Sequence, residues 1–254
     1  MDWYFYPLII AAGFAAGFIN TVAGSGSLIT LPLLIFFGLP ANVANGTNRV
    51  AILLQNIVGV SSFRQQKVLN FKHGLILAIP AAIGGIIGAQ IAVDLNEEVM
   101  RRVIGGLMVF MFIVILVKPK RWLIGKSENL NRNPSWLQML IFFGIGIYGG
   151  FIQAGVGIFL LAGLVLGVGY DIVKANAVKL LIVLCFTIFA LYVFYINDQV
   201  NWFVGIILAL GNMSGAWIAS RMSVKKGANF VRWFLIVVVA FSAVYLLGVF
   251  EIFK

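Results

Sequence analysis

The chain has 254 residues, 62% of them hydrophobic and only 10% charged, whereas a soluble domain carries about 25% charge. It cannot cover itself with polar surface, which excludes a soluble enzyme or binding domain. The formal charge of +10 is scattered over short loops rather than gathered on one face, which argues against nucleic acid and for a membrane-embedded body.

In chain order, the first apolar segment covers residues 3–37. Asp2 is the only early charge and no small-residue cleavage site follows, so the segment reads as a mature span, not a signal peptide. A helix crosses the hydrocarbon in about 20 residues, so this segment is too long for one crossing and short for two plus a turn. Gly24 and Gly26 lie near its middle. The expectation is a helical hairpin broken inside the membrane, where freed N–H and C=O groups must be buried in protein or face water. Spans at 46–63, 74–93 and 99–117 complete a first unit, residues 1–118. Residues 119–135 read as a basic cytoplasmic linker. A second unit, 136–254, has the same plan: a hairpin at 136–168 around Gly149, Gly150, Gly155 and Gly157, then spans at 174–196, 200–220 and 230–250.

Twelve of the eighteen lysines and arginines fall in three loops: Arg64, Lys67 and Lys72; Lys118, Lys120, Arg121, Lys126 and Arg132; Arg221, Lys225, Lys226 and Arg232. The positive-inside bias places these loops in the cytoplasm. The acidic loops 94–98 and 197–199 then lie outside, span 46–63 runs inward and span 174–196 runs outward. Both termini come out external, and the two units have opposite orientation. Arg101 and Arg102 go against the bias, but Glu97 and Glu98 lie one helical turn away, within pairing reach. The predicted fold is an all-α polytopic membrane protein of two inverted repeats, each a broken intramembrane helical hairpin followed by three transmembrane helices, in the cell (inner) membrane.

The repeat is visible in the residues themselves. G-F-I-N-T-V-A-G-S-G-S (Gly17 to Ser27), followed by A-N-G-T-N-R (Ala44 to Arg49), returns as G-F-I-Q-A-G-V-G (Gly150 to Gly157), followed by A-N-A-V-K (Ala175 to Lys179). Asn20 aligns with Gln153, and Asn48 with Lys179. Glycine-interrupted apolar segments in matching halves mark secondary transporters and point to the binding site. A second pair, Gly84 to Ala92 and Gly211 to Ala219, carries the small-xxx-small steps Gly84/Gly88 and Gly211/Gly215, which let helix backbones approach closely. Packing explains those glycines; Asn212 and Gln90 remain candidates to line a cavity.

Chemistry is expected at the hairpin tips. A helix N-terminus offers unbonded N–H groups and partial positive charge, which attract anions. Asn20, Thr21, Gly24, Ser25 and Ser27 in one tip, and Gln153 and Gly155 in the other, supply turn-forming glycines and polar donors. The alternative is that these groups only cap broken helices. Asn45, Thr47, Asn48 and Arg49 follow the first tip, and Asn176 and Lys179 the second. Arg49 and Lys179 either snorkel to headgroups or mark a substrate path. Lys179 is flanked by Val178, Leu180, Leu181 and Ile182, with Asp171 the nearest carboxylate in sequence, so it is expected as an unpaired intramembrane cation suited to a small anion.

The absences narrow the reading further. No Asp or Glu sits mid-span, His73 is expected to be solvated in a cytoplasmic loop, and Cys185 is a lone buried thiol. No metal cluster, proton-relay carboxylate or serine–histidine pair is available, so neither catalysis nor a cofactor is expected.

The two signatures together resemble those of the sulfite exporter TauE/SafE family, also called the TSUP family of permeases, over essentially the whole chain. The resemblance implies a permease for sulfite, thiosulfate, sulfoacetate or related C2 and C3 compounds. It also implies several cysteines along the path of thiosulfate carriers; this chain has only Cys185, which favours sulfite or a sulfonate. The expected partners are that small anion and the lipid bilayer, with oligomeric state open. Expected function is sulfite export by alternating access, the anion lying between the tips with Arg49 and Lys179 as countercharge. Organosulfonate or thiosulfate permeation, a channel-like anion conductor and a non-transporting membrane scaffold stand as alternatives.

Overall fold

The computed structural model describes residues 5–116 and 134–246, and the described residues are all helix, turn and loop. In chain order the helices are α1 (Phe5–Ala23), α2 (Ser27–Phe36), α3 (Ala41–Gln65), α4 (Phe71–Val93) and α5 (Glu97–Leu116). After the linker come α6 (Trp136–Phe151), α7 (Val156–Ala162, continued by a wider π-helical segment Gly163–Val168), α8 (Ile172–Ile196) and α9 (Trp202–Leu246). The linker cations Lys118, Lys120, Arg121, Lys126 and Arg132 lie outside the described residues, as do both termini.

Local chemistry sets the boundaries. Ser135 and Gln138 form a capping box at the start of α6, satisfying two orphan N–H groups at once. Asp171 accepts from the N–H groups of Val173 and Lys174 to open α8, and Asn70 accepts from His73 to open α4. Helix α9 is interrupted at Gly227 (φ 70, ψ −168). The expected loop between spans 200–220 and 230–250 is therefore this single break, with Arg221, Lys225 and Lys226 still helical before it. In α5, Arg101 pairs with Glu97 at 2.6 Å and Arg102 with Glu98, exposed pairs worth roughly 0–1 kcal/mol each.

Among the described residues, four helical segments are long and apolar enough to cross a bilayer: Phe5–Ala23, Phe71–Val93, Ile172–Ile196 and Trp202–Val231. Helix α8 is the most enclosed of these. Lipid tails give helices no hydrophobic reason to associate, so close backbone packing must supply the attraction. Two interfaces do this with glycine. In α1 against α9, a methyl at Gly13 or Gly17 would run into the backbone of Leu208 or Asn212, and one at Gly211 or Gly215 into that of Ile10 or Phe14. In α4 against α6, Gly84 and Gly88 abut Phe143 and Ile147, while Gly146 and Gly150 abut Ala81 and Gly85. Outward residues such as Ile79, Ile83, Ile91, Phe189, Tyr192, Phe203 and Leu210 stay exposed, an apolar face suited to acyl chains.

Helices α3 and α8 cross at the centre in opposite directions. The Arg49 guanidinium near the start of α3 lies 4.5 Å over the ring of Phe194 near the end of α8. Ten residues later Gly59 faces the Leu180 side chain near the start of α8. The middle turns of both helices therefore lie at one level.

Candidate functional site

The breaks fall at the expected glycines. Helix α1 stops at Ala23, where Gly24 takes φ +78 and its N–H bonds back to the carbonyls of Ile19 and Asn20. Only glycine adopts this left-handed conformation without strain. Helix α6 stops at Phe151, the chain extends through Ile152, and Gly155 turns it with φ +71 into α7. The tips meet: a methyl at Gly24 would strike the Gly157 backbone, and one at Gly157 would strike Gly24.

Two buried cations hold the broken ends, each reaching across to the other hairpin. Arg49, fully buried on α3, donates to the carbonyls of Gly149 (3.1 Å), Gly150 (2.5 Å) and Phe151 (3.3 Å) at the end of α6. Lys179 on α8 donates to the carbonyls of Asn20 (2.8 Å) and Thr21 (2.9 Å) at the end of α1, and to Asn176 Oδ1 (2.7 Å). Neighbouring amides complete each arrangement: Asn45 Nδ2 donates to Phe151 O at 2.9 Å and Asn176 Nδ2 to Val22 O at 3.1 Å. A helix C-terminus carries unsatisfied carbonyls and about half a negative charge, so a cation there satisfies both. The expectation of an unpaired Lys179 is corrected: its three N–H donors are directed at three oxygens.

Side-chain amides gather near the same breaks. Asn20 Nδ2 and Asn212 Nδ2 both donate to Gln55 Oε1, at 3.2 and 3.3 Å. Gln153 Nε2 donates to Thr187 Oγ1 at 2.7 Å. Each tip amide thus bonds to the next long helix of its own half of the chain. Asn48 is engaged elsewhere, accepting from Thr30 Oγ1 at 2.7 Å, and Thr47 accepts from the Asn201 N–H. Ser25 and Ser27 are buried in the first turn, and Gly155 presses against the Met111 side chain. The candidate residues therefore form a Lys179 group (Asn20, Thr21, Asn176) and an Arg49 group (Asn45 and the end of α6), with the Gly24–Gly157 contact where the tips meet.

Several buried atoms find no partner: Thr21 Oγ1, Asn45 Oδ1, Asn48 Nδ2, Arg49 Nε, Gln55 Nε2, both polar atoms of Asn56, Gln153 Oε1 and Asn212 Oδ1. Burying such atoms unbonded is costly, which makes these residues candidates for contact with a polar ligand. Gln55, Asn56, Thr187 and Thr30 escaped the sequence reading. The signal for the first two was a Gln-Asn pair inside the apolar run Ile52 to Val58.

Two other expectations are corrected. His73 is not solvated; it sits in the first turn of α4, 8% exposed, with Nδ1 2.8 Å from Tyr170 Oη. Gln90 is exposed on α4 rather than lining an interior cavity, whereas Asn212 is buried. No group of three or more His, Cys, Asp or Glu side chains gathers among the described residues.

The family profile described as sulfite exporter TauE/SafE matches residues 9–246. The chain belongs to this family. A probable membrane transporter protein, ORF9, of Sinorhizobium sp is 28% identical over 98% of this chain and 94% of its own length. A probable membrane transporter protein of Haemophilus influenzae is 24% identical over 89% of this chain and 88% of its own. The probable membrane transporter protein YfcA of Escherichia coli K12 is 28% identical over 95% and 90%. No solved structure matches. This TauE/SafE protein is a multi-pass membrane transporter and not an enzyme, which implies a small-molecule substrate.

Proposed function

We propose that this TauE/SafE-family transporter exports sulfite across the inner membrane. Its two units, 1–118 and 136–254, act as inverted repeats that rock about the hairpin tips, with both termini outside. The observation that carries the anion reading is charge: Arg49 and Lys179 are buried, while no Asp or Glu is buried among the described residues. Each cation is offset by about half a charge from the helix end it caps, which leaves the interior positive and selective for an anion.

The anion binds beside the tips, at Asn20 and Thr21 on one side and Gln153 on the other, with Asn45, Asn48 and Asn176 around them. The buried hydroxyls of Ser25 and Ser27 supply further donors. Arg49 and Lys179 provide countercharge through the field and hold the geometry through their hydrogen bonds. The lone Cys185 sets thiosulfate below sulfite and the sulfonates.

The test replaces Asn20 and Gln153 separately by alanine in proteoliposomes. Each variant should raise the sulfite concentration at half-maximal flux by about tenfold to a hundredfold, the worth of one hydrogen bond to a charged group. Unchanged half-saturation in both variants overturns the site.

A further inference from the structure

Asn56 is an amide with nothing to do. It lies in the middle of α3, is fully buried, and neither its Oδ1 nor its Nδ2 has a partner. Beside it in sequence, Gln55 keeps Nε2 unbonded while its Oε1 accepts from both Asn20 and Asn212, whose own Oδ1 is unbonded. A buried amide left open costs more than an apolar residue of the same shape, so a purely structural role would favour leucine. The opposed run of α3 and α8 sets the Gln55–Asn56 turn level with Thr187, the partner of Gln153. Four polar side chains therefore share one layer with both tip amides.

We infer that Asn56, with Gln55 and Asn212, forms a substrate-binding layer that takes a singly charged oxyanion bearing a hydrogen-bond donor. For sulfite this is the protonated monoanion, hydrogensulfite. The inference rests on the transport reading above. Its chemistry follows from which atoms remain open. Gln55 Nε2 and Asn56 Nδ2 donate to the oxygens of an anion; Asn56 Oδ1 and Asn212 Oδ1 need a hydrogen from it. A dianion has no hydrogen to give and would face those two acceptors with like charge. The Lys179 N–H donors point at carbonyls and an amide oxygen. Arg49 lies seven residues away along α3, about 10 Å. Both cations already donate to helix-end carbonyls, and the desolvation cost of an ion rises with the square of its charge.

Two measurements on the full-length protein in proteoliposomes test this. In Asn56→Leu, saturable sulfite flux should fall about tenfold, the loss of bonds to a charged ligand, while the midpoint of thermal unfolding holds or rises. A midpoint that falls together with flux, or flux within about twofold of wild type, overturns the assignment. In the wild type, sulfite flux above protein-free vesicles should follow the hydrogensulfite fraction as pH is lowered, while flux of 2-hydroxyethanesulfonate, singly charged and hydroxyl-bearing throughout, stays level. Sulfite flux that follows the dianion overturns the monoanion layer and leaves the transport reading standing. No saturable flux of any sulfur anion at any pH overturns the transport reading and this inference with it.

Discussion

Gly24 and Gly157 hold the same place in the two repeated motifs, and their backbones touch where the hairpins meet. The contact leaves no room for a Cβ on either side. Gly157→Ala should lose about 1–3 kcal/mol by overpacking. Gly24→Ala should lose that and about 1–2 kcal/mol more, because it also holds a left-handed backbone (φ +78). Thermal unfolding in detergent measures both; equal losses would show that backbone conformation at Gly24 contributes nothing.

The cross-hairpin cations predict an unequal pair of defects. Lys179→Ala leaves the ends of α1 and Asn176 Oδ1 without their donor and should cost about 3–5 kcal/mol, as removal of one buried charged partner does. It should lose stability as well as transport. Arg49→Lys keeps the charge but cannot fork across three carbonyls, and should cost about 1–3 kcal/mol. Denaturation monitored by tryptophan fluorescence checks the order; a larger loss in Arg49→Lys would contradict it.

Matched glycines should fail alike. Gly84→Ala forces α4 off the Phe143 backbone, and Gly211→Ala forces α9 off that of Ile10. Each should cost about 1–3 kcal/mol, and the two should agree within about 0.5 kcal/mol, the usual additivity error. Unfolding of the two single variants tests whether the units are equivalent; a loss confined to one would argue against paired repeats.

Both breaks were legible because glycine has few reasons to interrupt an apolar helix, and Gly24 and Gly155 do turn the chain with positive φ. The choice of acceptor for Lys179 was not. It donates to carbonyls 158 and 159 residues away, and no local pattern names a backbone oxygen in another segment. Gln55 and Asn56 were passed over because the second half carries Phe186 and Thr187 at the matching place, so the repeat gave no echo. His73 was misplaced for a local reason: capped by Asn70, α4 begins at Phe71, three residues before the expected start of its span. Arg221 to Lys226 stayed helical because charged side chains with long aliphatic stems can leave the membrane without unwinding the backbone.

Orientation can be read by thiol labelling. In a Cys185→Ala background, Asp198→Cys in the α8–α9 turn should react with an impermeant maleimide in intact cells, and Lys67→Cys between α3 and α4 only after permeabilisation. Both positions are exposed in short turns outside the helices, so each substitution leaves the helices intact. Reversed accessibility would invert the proposed topology.

The most direct measurement is sulfite flux into proteoliposomes, competed in turn by sulfate, thiosulfate, sulfoacetate and chloride. Saturable sulfite flux that chloride does not suppress is the predicted result and establishes a carrier for a small sulfur anion. Flux that rises linearly with concentration and yields to chloride, or no flux from correctly folded protein, contradicts it.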